Sequence, residues 1–242
     1  MAETIRGAVL VAGFTSRSRA YSQAMLNAGL KPEKIILFGP EKGGLPGQSG
    51  KLPDNSADRT EIGLFLPDHS IPLKETCGQL GCDVKHIPSE NINDPDMLGE
   101  LKAAAPSLVI YSGYGAQIVG REVLEVAPFL HVHSGWLPDE RGSTTMYYGW
   151  LSRNRCGVSA ILMAESIDTG PIIRRKEYSP PPPAVDPDHI YDGAIRADLL
   201  IEVLREYEKN REFKSKIPQP TRGTNYYVIH PVLKHLARLR NK

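Results

Sequence analysis

The chain has 242 residues, with 29 Lys and Arg against 28 Asp and Glu, and 40% of it is hydrophobic. That composition is large and apolar enough for a substantial globular core, and a formal charge of +1 argues against a broad nucleic-acid or membrane surface. The three cysteines, Cys77, Cys82 and Cys156, form no Cys-x-x-Cys pair, which suits thiols packed as small hydrophobes in a reducing cytoplasm better than disulfides or a structural zinc site.

Ala8-Val9-Leu10-Val11-Ala12 is a short continuous apolar run closed by Gly13, the pattern of a buried parallel strand. The apolar stretch from Gly7 to Phe14 that contains it is too short for a membrane span and has no cleavage pattern behind a basic region. A cytoplasmic location is therefore expected. Ser18 to Leu30 places Tyr21, Met25, Leu26 and Leu30 on one helical face, and Lys34 to Phe38 reads as a second strand. Residues 39 to 70 are rich in Gly and Pro with little periodicity, which predicts a long loop or lid. The alternation then resumes. Helices are expected near Pro72–Leu80, Asp94–Ala104 and Gln117–Val126, and strands at Asp83–Ile87, Leu108–Tyr111 and Phe129–His133.

Strands alternating with helices imply an α/β fold whose mostly parallel sheet carries helices on both faces. Ligands of such sheets bind beyond the carboxyl ends of the strands. Past residue 142 the rhythm changes. A helix over Ser143–Arg153 is followed by strands at Gly157–Ala164 and Pro171–Tyr178, linked closely enough to be antiparallel. After the Pro180–Pro183 run come a long amphipathic helix near Asp188–Tyr207 and a tail with a second helix over Pro231–Arg240. In that tail Val232, Leu233, Leu236 and Leu239 form one stripe, which predicts packing on the chain's own domain or on a second subunit; a homodimer is the expectation.

The stretch His131-Val132-His133-Ser134-Gly135-Trp136-Leu137-Pro138 ends one of these strands. Side chains alternate along a strand, so His131 and His133 share a face and can address one site. Asp168 sits in the turn between the two later strands. Read alone, each has an ordinary alternative: a hydrogen-bonded strand histidine, or a carboxylate that caps a turn. Two histidines and one carboxylate also make a metal-binding alternative, although no metal is expected.

His133-Ser134, Leu137-Pro138, Arg141-Gly142, Gly157-Val158-Ser159 and Ile167-Asp168-Thr169-Gly170-Pro171-Ile172 follow in order. In that order and at that spacing the chain resembles the folate-dependent formyltransferase family over about residues 8 to 205. The resemblance implies a Rossmann-like sheet and transfer of a formyl group from 10-formyltetrahydrofolate to an amine. It implies a formyltransferase-like catalytic domain over 1–212 and a C-terminal appendage over 213–242, a length with no room for the second domain of the tRNA-formylating members. The family's catalytic set is an Asn, a His two residues on and a later Asp. The last two fall on His133 and Asp168, while the Asn position holds His131, a departure from the pattern.

Further roles follow from the same resemblance. His133 is expected to stabilise the oxyanion and move a proton, oriented by Asp168. Tyr114, Gln117, Ile118 and Val119, with Ala164, Glu165 and Ile167, are expected to line the folate. Gly13, Thr15, Arg17 and Arg19 at the end of the first strand, with Ser134, Arg141 and Tyr147, are expected to hold the acceptor, a small amine that is phosphorylated or nucleotide-linked. An amino sugar is the favoured acceptor. A hydrolase of the formyl donor, a metal enzyme built on His131, His133 and Asp168, and a folate-binding protein altered by the Asn-to-His change are the alternatives.

Overall fold

Ala8 to Ala12 are buried to the last side chain, as a run without a polar residue requires. They form the middle of β1 (Glu3–Gly13), the first strand of a computed structural model that describes residues 2–41 and 63–240. The chain divides into two compact units, residues 1–130 and 131–242, with the break inside a single strand.

In the first unit, α1 (Ser16–Asn27) begins earlier than its apolar periodicity suggests, because Thr15 caps it and accepts from Ser18 N at 3.1 Å. It also ends earlier: Gly29 takes φ +67°, and Leu30 opens β2 (Leu30–Phe38) instead of closing the helical face. Next come α2 (Leu73–Gln79), β3 (Asp83–Ile87), α3 (Pro95–Ala104) and β4 (Leu108–Ser112). The helix expected over 117–126 shrinks to the single turn α4 (Arg121–Leu124). Upstream of it the left-handed Ala116 (φ +62°) and the bond from Gly120 N to Asn93 Oδ1 at 2.6 Å hold the chain out of helical geometry. β1 pairs in parallel with β2 and β4, and β2 with β3. Most of the 39–70 loop lies outside the described residues. Its end is tied to α1 by paired bonds between Gln23 and the backbone of Asp68, at 2.6 and 2.7 Å.

β5 (Phe129–His133) begins in the first unit and delivers both histidines to the second. There β6 (Arg141–Gly142), α5 (Thr145–Arg153), β7 (Cys156–Leu162) and β8 (Ile172–Tyr178) follow, and β7 and β8 are antiparallel with Cys156 opposite Tyr178. A π turn at Pro187–Tyr191, capped by Asp186, leads into α6 (Asp192–Asn210), which therefore starts later than its amphipathic pattern. Hydrogen bonding orders the strands β3-β2-β1-β4-β5-β7-β8. The fold is thus α/β with a mostly parallel sheet and antiparallel strands in its C-terminal part.

Residues 213–240 belong to the second unit. Ile217 bridges to Ile172, β9 (Asn225–Tyr226) pairs with β6, and α7 (Pro231–Leu239) buries Ala237. Lys234 Nζ reaches Asp188 Oδ2 at 2.6 Å and Arg240 donates to the end of α5. The apolar stripe of α7 is only partly covered, Val232 remaining 59% exposed.

Candidate active site

β5 holds His131 and His133 on one face, and the loop between β7 and β8 supplies Asp168, so the three residues meet within the second unit. One potential ligand or proton-transfer atom from each lies within 4.8 Å of the other two. His133 Nδ1 stands 3.4 Å from Asp168 Oδ2, with side chains only 5% and 10% exposed.

The surroundings decide which nitrogen of His133 is available. Its Nε2 lies 2.6 Å from the backbone carbonyl of Glu140. A carbonyl only accepts, so Nε2 carries the hydrogen and neutral His133 turns a lone pair at Nδ1 towards Asp168. Burial pushes the imidazole pKa below its usual value, against the opposing pull of the Asp168 charge. The ring is confined from behind. A Cβ added to Gly135 would fall 2.5 Å from Glu140 O and 2.6 Å from His133 Nε2, so only glycine leaves this bond intact. Thr145, whose hydroxyl donates to Ser134 O, closes the same side.

The loop between β5 and β6 is itself fixed by Glu140. Its buried carboxylate accepts from Trp136 N at 2.7 Å and from Arg153 Nη2 at 2.6 Å. Ser159 binds Gly135 O and Leu137 N, and Arg175 reaches Leu137 O at 2.8 Å with its guanidinium 4.5 Å from the Trp136 ring. The Leu137–Pro138 bond is cis.

Asp168 takes the left-handed conformation at φ +53°, unusual for a residue with a side chain. Two contacts hold it there. Gly142 N donates to Oδ2 at 3.0 Å, and Gln219 Nε2 donates to the Asp168 carbonyl at 3.0 Å and to Gly170 O at 2.7 Å. Gly142 is in turn pinned by β9: at φ +101°, a Cβ there would meet Tyr226 O at 2.2 Å. The tail thus braces the Asp168 loop from two sides. Gln219, Glu140 and Gly135 were not singled out from sequence. Glu140 and Gly135 lie within the distinctive peptide, whereas Gln219 carries no motif of its own.

The other expected site residues divide by task. Arg141 is buried, and its guanidinium serves Gln219 Oε1, Pro220 O and Thr221 O, so it holds the tail and is not turned to an acceptor. Tyr147 is likewise core: it stacks on Trp150 with centroids 5.7 Å apart and donates to Asp188 Oδ1 at 3.1 Å. Ser134 is buried, and its Oγ has no hydrogen-bond partner among the described residues. In the first unit Arg17 binds Gly113 O and Ser112 Oγ, and Arg19 binds His69 O at 2.5 Å, both bracing loops through carbonyls. Thr15 is spent as the α1 cap and Gly13 lies under the Tyr114 ring, whose hydroxyl donates to Phe38 O at 3.1 Å. Gln117 donates to Glu90 O and Val119 is buried, while Ile118 is 59% exposed. Ala164, Glu165 and Ile167 are exposed on the loop before Asp168, Ile167 also at 59%.

The sheet order and the pair of His133, at the end of β5, with Asp168 describe an α/β fold with a candidate acid–base site, and comparison assigns the chain its family. Residues 68–189 match the formyl transferase family, and the chain belongs to that family. It is 29% identical over 172 residues to methionyl-tRNA formyltransferase of Roseiflexus sp., covering 69% of this chain and 49% of that protein. A Campylobacter fetus methionyl-tRNA formyltransferase is 27% identical over 157 residues, with 64% of this chain and 50% of that protein covered. The chain spans about half the length of these relatives. Its fold is shared by a sugar N-formyltransferase of Shewanella sp. (TM-score 0.55, 16% identity, 97% of this chain and 87% of the other). It is shared too by glycinamide ribonucleotide transformylase 1 of Symbiobacterium toebii (TM-score 0.56, 15% identity, 90% and 93%).

Proposed function

We propose that the protein transfers a formyl group from 10-formyltetrahydrofolate to the primary amine of a small metabolite, with a nucleotide-linked amino sugar as the acceptor. The observation that carries the reading is the buried His133, fixed at Nε2 and presenting its Nδ1 lone pair beside Asp168. The donor, when bound, supplies an activated formyl carbon. Attack by the amine makes a tetrahedral centre with an anionic oxygen, and the new C–N bond forms as a proton must leave nitrogen. His133 Nδ1 takes that proton, and Asp168 stabilises the imidazolium and holds its plane. The same proton then passes to the departing nitrogen as its bond to the formyl carbon breaks. His131, in the position of the family's Asn, donates one ring N–H to the oxyanion, a contact of the kind worth about 3–4 kcal/mol.

The loop 164–168, exposed from Ala164 to Ile167, is the donor-binding segment of the second unit; the contributions of Tyr114, Gln117, Ile118 and Val119 belong to the same proposal. The Shewanella sugar N-formyltransferase shares the fold across 97% of the chain and a methionyl-tRNA formyltransferase of Clostridium thermocellum across 96%, so the fold likeness admits a sugar acceptor and the choice of acceptor rests on the assay below.

The test is to incubate the protein with 10-formyltetrahydrofolate and a panel of nucleotide-linked amino sugars. Tetrahydrofolate release and the gain of one CO unit in the acceptor are followed together. Product dependent on both substrates is expected. Tetrahydrofolate and formate appearing equally without any amine would assign the hydrolase instead, and no turnover of the donor would sink both readings.

A further inference from the structure

The contact between His133 Nδ1 and Asp168 Oδ2 is longer than a charge-assisted hydrogen bond and sets two electron-pair donors face to face at 3.4 Å. A lone pair beside a carboxylate, both nearly shut off from water, is a repulsive arrangement that a cation between them relieves. His131 adds a third donor atom on the same side, all three within 4.8 Å. We infer that His131, His133 and Asp168 form a three-ligand site for a divalent first-row metal ion, with zinc as its fitting occupant.

The dimensions agree. Zinc bonds of about 2.0–2.2 Å to imidazole nitrogen and carboxylate oxygen put tetrahedral ligand atoms about 3.4 Å apart. The His133–Asp168 pair already has that spacing, and the third atom, within 4.8 Å of both, must close in by at most about 1.4 Å, within the reach of a histidine side chain. The donor set is also selective. Two imidazoles and one carboxylate favour zinc, cobalt or iron over magnesium and calcium, which want more oxygens.

The supports around the ligands are those of a metal site. His133 donates its other nitrogen to a backbone carbonyl at 2.6 Å, which fixes the tautomer and leaves Nδ1 to coordinate. Asp168 Oδ2 accepts from Gly142 N at 3.0 Å, and Gln219 ties the backbone of the same residue. Three protein ligands leave the fourth position to water or substrate. The site is the one assigned above to formyl transfer, and the two uses exclude each other at one atom. A metal on Nδ1 takes the lone pair needed for the amine proton, so zinc is inferred to inhibit the transfer. That consequence rests on the proposed function; the binding itself does not.

The experiment is titration of the full chain, freed of metal with a chelator and dialysed, with Zn2+ by calorimetry and with Co2+ by visible absorption. One equivalent is expected, with the intense d–d bands of four- or five-coordinate cobalt and no thiolate charge-transfer band. His131→Asn and Asp168→Asn should each weaken binding about tenfold or more, while Cys82→Ser leaves it unchanged; circular dichroism confirms that each variant is folded. Absence of stoichiometric binding by the unaltered chain overturns the inference, whatever the variants do. Binding of unchanged strength in both Asn variants, or loss of it in Cys82→Ser, overturns it equally. Failure here leaves formyl transfer standing, and failure of the formyl-transfer assay leaves a measured metal site standing.

Discussion

Replacing Glu140 with Ala removes the carboxylate around which the loop between β5 and β6 is folded. Trp136 N loses its acceptor at 2.7 Å, and Arg153 Nη2 loses its partner at 2.6 Å, while Arg153 Nη1 keeps Glu177 at 2.5 Å. A buried N–H left unsatisfied costs about 1–3 kcal/mol. The lost charge contact adds about 1 kcal/mol, a discounted figure because the Arg153 side chain is 38% exposed. Together with the void left beside Gly149, the expected loss is about 3 kcal/mol, which at a urea m-value of about 2–3 kcal/mol/M lowers the midpoint by about 1 M. Glu140→Gln keeps an acceptor for Trp136 and should lose only about 1 kcal/mol. Urea unfolding followed by tryptophan fluorescence reads the right region, because both tryptophans, Trp136 and Trp150, lie in the second unit. An Ala midpoint indistinguishable from that of the unaltered chain, or a Gln variant as damaged as the Ala variant, would refute the accounting.

Gln219→Leu is nearly isosteric but deletes two donors to the Asp168 loop and the acceptor that Arg141 Nη2 uses at 3.1 Å. In the formyl-transfer assay kcat should fall about tenfold, or ~1.4 kcal/mol, with KM little changed; a KM effect alone would mean that Gln219 touches the acceptor instead. The histidine also makes stability depend on pH. Burial sets the folded pKa of His133 below the unfolded value of about 6.5, so its neutral form belongs to the folded state. The contribution is fully present above about pH 6.5 and declines as pH falls from there towards the folded pKa. Urea midpoints between pH 7.5 and 5.5 should therefore drop less steeply in His133→Asn, and parallel slopes for the two proteins would contradict the burial argument.

What could be read from the sequence followed the strength of local pattern. β5 was placed residue for residue because Phe129 to His133 is apolar at every position but the two histidines. α1 and α6 were shifted at their ends because caps and backbone geometry, not apolar periodicity, set helix boundaries: Thr15 opens one helix early, and the Asp186 cap and π turn delay the other. The pairing of His131 and His133 was legible because they share a strand face, whereas Asp168 joined them only through the family resemblance of its Asp-Thr-Gly-Pro motif. The polar residues given to the acceptor fared differently. Arg17, Arg19 and Arg141 look free in a sequence, yet each guanidinium is used by backbone carbonyls that no local pattern announces. Gln219 lies 51 residues from the carbonyl it supports, beyond any motif.

Under the proposed function His131 stands where the family resemblance puts Asn, and the exchange changes what the site can hold. A carboxamide beside His133 offers a donor and is a poor ligand, so a site with Asn can move protons but has little hold on a metal. An imidazole at 131 can still present one N–H to an oxyanion, but its second nitrogen can bind a cation. His133 is prepared for either use, since the Glu140 carbonyl leaves Nδ1 as a lone pair whether a proton or a metal arrives. Asp168, held in its left-handed turn by Gly142 and Gln219, stabilises whichever positive charge forms there. The surrounding scaffold therefore does not choose between base catalysis and coordination. Residue 131 does, and His131→Asn should move the site towards proton transfer by weakening its metal, with the transfer activity retained.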